Sequence, residues 1–426
     1  MSNNNLLSDR RFLPFFMTQF FGALNDNVYK QALLYLVTFS LISWHGSMDA
    51  TVFNNISAAL FILPYFLLSF LAGQIADKYE SAALIRRIKN AEILIMLLVA
   101  VSFFFQWFWG LLIALLLTGV QSTFFSPIKY AYLPKHIPER QLILANGWLQ
   151  LGTFSAIIFG AILAGLAIHA FSLSVAEAVS LFVLLLACLG RLSAQYIPKT
   201  TVADPNLILR LNPITESIQL FRYCQHTLGA KTLILGISWF WFLGICLLSQ
   251  LPKLVADDLG GDTTVLNIVL ALFAIGIGIG AVLCKSLSKN EFSLKWSRLA
   301  SALIAVFLIE FYFCCISNLG QLTSAQSLFQ SVSSLRFMAD VLILGALAGI
   351  FVVPLLSLLQ LRSPPVYLAR IISASNISNA LFMILASVFA IVMIELVGLS
   401  IPSLFLTLAA LQIVAWALLQ FASHTR

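Results

Sequence analysis

The chain has 426 residues, of which 60% are hydrophobic and only 10% charged, with a formal net charge of +7. A water-soluble domain of this size cannot hide that much apolar surface, so the composition excludes a soluble globular protein and predicts an all-α polytopic membrane protein. The positive charge does not mark a nucleic-acid binder, because lysine and arginine in short membrane loops report orientation.

Runs of about 20 apolar residues can cross a bilayer as helices. Twelve such runs occur in chain order, at 11–43, 53–77, 84–106, 108–130, 145–169, 174–195, 231–256, 264–287, 296–317, 339–361, 368–394 and 400–421. The first carries Asn25, Asp26 and Lys30 between apolar flanks, near mid-membrane depth. A charge at that depth costs at least about 2.5–3.5 kcal/mol on insertion scales, so it faces a partner or a wet cavity. Asp26 and Lys30 are four residues apart on one helix face, acid before base, the better order for an ion pair. They read either as a substrate or ion site or as a buried pair that fixes helix packing.

With the N-terminus inside, most basic residues fall in inner segments, from Arg10 and Arg11 through Lys78, Arg86, Arg87, Lys135 and Arg140 to Lys285, Arg370 and Arg426. Outer segments carry little beyond Lys253 and Arg336, together with Asp49, Asp257, Asp258 and Asp262. This bias predicts that both termini are cytoplasmic. The widest inner connection, Tyr196–Ala230, divides the chain into an N-terminal six-helix bundle at 1–195, a cytoplasmic linker at 196–230 and a C-terminal six-helix bundle at 231–426. Asn212-Pro213 resembles a cap and first helical turn, and Ile214, Ile218 and Phe221 form one apolar stripe. The segment 213–226 is thus either an interfacial helix or a plain linker helix. Ser317–Arg336, rich in Ser and Gln, predicts a second break on the outer face.

The two halves repeat. At an offset of 230 residues, Gly119 matches Gly349, Pro134 matches Pro364, Arg140 matches Arg370 and Asn146 matches Asn376. Two six-helix halves joined by a long inner loop are the layout of a parallel-repeat transporter with its site at midplane between the halves.

Gly73-Gln-Ile-Ala-Asp77-Lys78, followed by Arg86 and Arg87, resembles the signature loop between helices two and three of the major facilitator superfamily. There the glycine permits close helix approach, and the aspartate pairs with basic residues or a facing helix N-terminus to latch the inner gate. The usual glycine after the aspartate–basic pair is absent, with Glu80-Ser81 in its region. The second-half loop, Gly276-Ile-Gly-Ile-Gly280 to Lys285, lacks an aspartate, and its glycine run predicts close helix packing, not nucleotide binding.

Phe21-Gly-Ala-Leu-Asn-Asp-Asn27, Ser126-Pro-Ile-Lys-Tyr130, Ala145-Asn-Gly147, Ser238-Trp-Phe-Trp241 and Val353-Pro354 resemble the lysophospholipid transporter family of that superfamily. Ser238–Gly244 and Asn379-Ala-Leu-Phe-Met383 are most similar to the branch fused to an acyltransferase and an acyl-carrier-protein synthetase. The resemblance implies passage of lysophospholipid, chiefly lysophosphatidylethanolamine, from the outer to the inner leaflet of a bacterial inner membrane, with reacylation inside. It implies roles for Asp26 and for Lys129. Standalone members carry a basic residue in the seventh helix, where this chain reads Cys246-Leu-Leu-Ser-Gln250.

The chemistry fits that substrate. Asp26 can take an ammonium and Lys30 or Lys129 a phosphate, although Lys129 can equally snorkel to the inner interface. Asn25, Asn146, Gln250, Asn376 and Asn379 are candidates for lining the path or for bonding helices together. Glu310 is a lone acid within the ninth span and a candidate proton relay, whereas Glu92 is expected to pair with the nearby basic loop.

An enzyme is not expected. None of His45, His136, His169, His226 or His424 has an aspartate at the acyltransferase spacing, and no phosphate-binding glycine loop with lysine occurs. Only Ala422–Arg426 follow the last span, which leaves no room for a catalytic domain. The six cysteines have no metal spacing and read as packing residues, so no metal or cofactor is expected. Two alternatives stand beside the lysolipid transporter: a proton-coupled drug or siderophore exporter of the same superfamily, and the transport module of an acyltransferase fusion. The expected partners are the lysophospholipid, membrane lipids and a cytoplasmic acyltransferase or acyl-carrier-protein synthetase, with the chain itself a monomer.

Overall fold

The computed structural model describes residues 6–38, 50–169, 175–227, 229–288 and 293–421. Among them are thirteen α-helices and no strand. They are α1 Leu13–Thr38, α2 Ala50–Lys78, α3 Ser81–Phe104, α4 Phe108–His136, α5 Glu139–His169, α6 Val175–Gln195, α7 Pro213–His226, α8 Ala230–Lys253, α9 Thr263–Ser288, α10 Lys295–Ser317, α11 Val332–Arg362, α12 Leu368–Ile391 and α13 Ile401–Phe421. Short π-helical turns, Leu254–Asp258 and Val392–Leu396, prolong α8 and α12.

All but α7 are long enough to span a bilayer, and ten are also apolar enough throughout. The two long helices that fall short are α1, with Asn25-Asp26-Asn27 and Lys30, and α3, with Arg86, Arg87, Lys89 and Glu92. Their polar residues lower the hydropathy that the other spans keep. Both are still surrounded by apolar partners: α3 packs on α4 and α6, and α1 on α6.

Several helices outrun the apolar runs that predict them. α4 continues to His136 through Pro134, α5 starts at Glu139, and α11 starts at Val332, inside the expected break. Hydropathy reads only the membrane-embedded stretch, whereas a helix continues into water wherever its backbone bonds are made. The tight corner between α3 and α4 is turned by Gln106, a non-glycine residue in the left-handed region at φ 50°. Asn212 caps α7, its side-chain oxygen accepting from the amides of Ile214 and Thr215, both at 3.1 Å. α7 lies against α2 and buries Leu220 and Cys224, leaving Ile214 and Ile218 exposed.

The chain divides into two compact units. The first comprises residues 1–139, 155–226 and 363–377, and the second 140–154, 227–362 and 378–426, so α5 and α12 are each shared between them. In the first unit Val28, Tyr29, Leu111, Leu115, Val183 and Ala187 form part of one core. The Tyr29 hydroxyl donates to the Leu111 carbonyl at 2.6 Å, which satisfies the one polar atom that this ring carries into the core. The core of the second unit is the α9–α11 contact. There Gly276 and Gly280 face Gly345 and Gly349, and a Cβ at any of the four would strike the facing backbone. This is the close packing expected of the glycine run.

Candidate functional site

A polar network threads the first unit where α1, α3 and α4 meet. Glu92 is its hub. Its carboxylate accepts from Lys89 Nζ at 2.5 Å, Gln121 Nε2 at 3.1 Å and Asn25 Nδ2 at 3.1 Å, with Lys89 and Glu92 each 1% exposed. The expected pairing of Glu92 with its basic loop is therefore formed, by Lys89, but deep inside the unit. Asp26 differs. One of its oxygens accepts from the Ser122 hydroxyl at 2.7 Å, while Oδ1 is buried with no hydrogen-bond partner. Glu92 is saturated and serves the fold; Asp26 keeps acceptor capacity for a cationic or hydrogen-donating ligand.

The i, i+4 ion pair between Asp26 and Lys30 is not formed. The Lys30 ammonium lies over the Phe61 ring instead, 4.2 Å from its centroid. The lysine is thus held one turn from Asp26 with its charge still available to an anion. Lys129 shares the α4 face of Ser122, seven residues and about 10 Å along the helix. Its ammonium sits 4.6 Å from the centre of the Tyr130 ring. Asp26 and Lys30 thus lie one turn apart on α1, Asn25 turns to Glu92, and Lys129 lies two turns from Ser122 on α4.

The other amide candidates fall elsewhere. Asn376 accepts from the Ser126 hydroxyl at 3.2 Å in the first unit, and its Nδ2 is buried without a partner. In the second unit Asn146 donates to Gln360 Oε1 at 2.7 Å and to Ser357 Oγ at 3.0 Å, which ties α5 to α11. Asn379 accepts from the Ser238 hydroxyl at 2.8 Å, tying α8 to α12. Gln250 bonds its neighbour Ser249 at an exposed position. The same unit holds an apolar pocket, part of it open to its surroundings. Phe154, Phe240, Trp241, Phe273, Leu344 and Phe351 line it, so the Ser238-Trp-Phe-Trp241 motif supplies both a helix tie and two cavity walls.

Asp77, at the end of α2, is 1% exposed and meets a helix N-terminus. It accepts from the backbone amides of Ala369 and Arg370, at 3.2 and 3.3 Å, and from Arg370 Nε at 2.8 Å. These are the first free amides of α12, so the carboxylate serves both the helix dipole and a guanidinium. Arg370 reaches on to Asp204 of the linker at 3.2 Å, and its guanidinium lies over the Tyr367 ring. Gly73, one turn back, lets α12 approach: a Cβ there would strike Ser373 and the Arg370 backbone. The basic residues of the loop itself play other parts. Arg86 lies 3.9 Å from Glu80, Arg87 is exposed, and Lys78 lies near the Tyr79 ring. Glu80 occupies the position where glycine was expected. It caps α3 through the amides of Ala82 and Ala83 and holds Thr200 of the linker. Burial pushes its carboxyl up, but the hydrogen bonds from Thr200, Ala82 and Ala83 together hold it below the usual range.

Glu310 pairs with Arg336 of α11 and is half-buried. Asp340, one turn from Arg336, is 2% exposed, and neither carboxylate oxygen has a hydrogen-bond partner. Asp340 was not among the expected site residues, and its signal in the sequence is an acid inside the tenth apolar run. Ser122 and Gln121 carried no such signal, because neutral polar residues are ordinary in membrane helices.

The family model described as Major Facilitator Superfamily matches residues 12–387. Among curated relatives, a lysophospholipid transporter LplT of Cronobacter sakazakii is 28% identical over 368 residues, covering 85% of this chain and 83% of the relative. One of Yersinia enterocolitica is 28% identical over 401 residues, covering 92% and 89%. Among solved structures, the human organic anion transporter MFSD10 superposes with a TM-score of 0.73 at 14% identity, over 96% of this chain and 99% of that one. The transporter FucP in its outward conformation gives 0.70 at 14% identity, over 98% and 100%. The expected resemblance is thus found across most of the chain, and the two solved structures share its fold.

Proposed function

Since the chain belongs to the Major Facilitator Superfamily, a multi-pass membrane fold of twelve helices in two six-helix bundles, we propose that it transports lysophospholipids. Lysophosphatidylethanolamine is the foremost cargo, carried from the outer to the inner leaflet of a bacterial inner membrane and reacylated inside. The bundles are 1–195 and 231–426, joined by the linker 196–230, with both termini cytoplasmic and the exposed Ile214 and Ile218 of α7 resting on the inner membrane surface.

The observation that carries the reading is Asp26, a buried carboxylate with one oxygen unsatisfied and a lysine one turn away. An ethanolamine head group offers an ammonium and a phosphate, which are the complements of those two side chains. Asp26 takes the ammonium, and Lys30, with Lys129 further along α4, takes the phosphate. The second unit's apolar pocket, walled by Phe240 and Trp241, has the chemistry that a single acyl tail needs. Asp77, Gly73 and Arg370 latch the inner end of α2 to α12 and open as the lipid is released. A drug or siderophore exporter would share the fold. The names of the curated relatives favour the lipid.

The test is flipping in reconstituted vesicles. Labelled lysophosphatidylethanolamine should cross with the protein present, and its diacyl counterpart should not. Equal movement of both, or of neither, contradicts the proposal.

A further inference from the structure

We infer that Phe61 is a positioning residue of the head-group site: its ring holds Lys30 away from Asp26 and so keeps both charges open to a zwitterion. A carboxylate and an ammonium one helical turn apart, in surroundings of low dielectric, pair with each other unless something else holds one of them. Pairing would close the site twice over, because it would use the free lone pairs of Asp26 Oδ1 and the N–H donors of Lys30 together. Neither is spent in the structure. Asp26 is buried with Oδ1 unpartnered, and the Lys30 ammonium rests 4.2 Å from the centre of the Phe61 ring. An aromatic face attracts a cation through its quadrupole and needs no directed hydrogen bond. A lysine parked there keeps donors for a phosphate.

The ring is fixed by its neighbours. Phe61 packs against the core of the first unit, and α4 crosses its backbone so closely that a Cβ on Gly119 would strike the Phe61 carbonyl oxygen. One turn further along α2, the Tyr65 ring lies 6.2 Å from that of Phe61, and its hydroxyl reaches Ser122. Ser122 is the residue that donates to Asp26 Oδ2 at 2.7 Å. Thus α2 lays one aromatic residue beside each charge of α1, Phe61 on Lys30 directly and Tyr65 on Asp26 through Ser122. The charged groups acting on Asp26 are Glu92, Lys30 and Lys89, and Lys89 is committed to Glu92. Of these, Lys30 is the cation left to close the site. The inference rests on the reading that Asp26 and Lys30 receive the head group; where Lys30 sits can be tested without it.

Nuclear magnetic resonance of the protein in lipid nanodiscs, isotope-labelled at lysine Cε, tests the position of Lys30 with no cargo present. Its proton signal, identified by its loss in Lys30→Arg, should be displaced upfield by the ring current. Phe61→Leu should return it to the ordinary lysine position, Phe61→Tyr should keep the displacement, and Asp26→Asn should leave it unchanged. A signal undisplaced in the wild type, insensitive to Phe61→Leu, or moved by Asp26→Asn as far as by Phe61→Leu would overturn the inference.

Transport in vesicles then tests the consequence. In Phe61→Leu, Lys30 falls onto Asp26, so KM should rise several-fold for lysophosphatidylethanolamine and for an anionic lysolipid lacking the ammonium, with the maximal rate little changed. Phe61→Tyr should restore both. Adding Asp26→Asn to Phe61→Leu releases Lys30 and should recover the anionic lysolipid alone, which a merely structural role for the ring would not produce. A double variant no better than Phe61→Leu on the anionic lipid contradicts the inference. If no lysolipid moves even in the wild type, the cargo reading fails while the lysine signal still decides whether Phe61 holds Lys30.

Discussion

Two acids one helix apart, Glu92 and Asp26, do different work because of what surrounds them. Glu92 has three donors, one of them a buried lysine, and removing one member of such a pair leaves an uncompensated charge that costs about 3–5 kcal/mol. Glu92→Gln should therefore lower the unfolding temperature markedly in detergent, and adding Lys89→Met should recover much of it. A single variant as stable as wild type would mean that the pair is not holding α3 in place. In the second unit, a Cβ on Gly244 would meet nothing within 4 Å, and this residue lines the apolar cavity. Gly244→Leu should leave the fold intact and fill space there. Transport of long-chain lysolipid should then fall several-fold more than that of short-chain lysolipid in the vesicle assay. Equal rates across chain lengths would remove the cavity from the tail path.

At the level of helices, the corner between α2 and α12 is built from parts far apart in the sequence. Asp77 ends one helix and satisfies the first amides of the other. Asp77→Asn keeps a similar shape but loses the charge that holds Arg370 and the helix dipole. It should raise the reactivity of a cysteine placed at Ser373 toward a small alkylating reagent by several-fold, with lipid affinity little changed. Unaltered reactivity would mean that Asp77 is no latch. The sequence made part of this corner legible. The resemblance of Gly73–Lys78 to the signature loop offered Asp77 either basic residues or a facing helix N-terminus, and the 230-residue offset singled out Arg370, but nothing joined the two until the chain was folded. The loop's own Arg86 and Arg87, nearer in sequence, were the obvious partners and are not the ones used. Likewise the i, i+4 rule paired Asp26 with Lys30, and a ring from α2 took the lysine instead. Spacing along one helix is readable; the choice among neighbours on other helices is a tertiary matter. Apolar runs located all twelve long helices and met the ends of α6, α9, α10 and α13 to within one residue, but fell short on α4, α5 and α11, since polar residues that prolong a helix into water carry no hydropathy signal.

For the whole molecule, the charge bias makes a topological claim. Asp49 and Glu291, which mark opposite faces in that scheme, lie outside the described residues, whereas Asp258 closes the turn after α8. On a cysteine-free background, single cysteines at positions 49 and 258 should react with an impermeant reagent in intact cells, and one at 291 should not. Reaction at 291 would invert the proposed orientation. The central claim is that one buried carboxylate reads the head group of a lysolipid, and Asp26→Asn tests it most directly because it removes the charge and keeps the size. Loss of a charge-assisted hydrogen bond is worth about 1.5–3 kcal/mol, or roughly ten- to a hundred-fold in rate. In reconstituted vesicles, lysophosphatidylethanolamine transport by the variant should fall by that factor, with an anionic lysolipid lacking the ammonium affected far less; wild-type rates for both lipids in a folded variant would contradict the account.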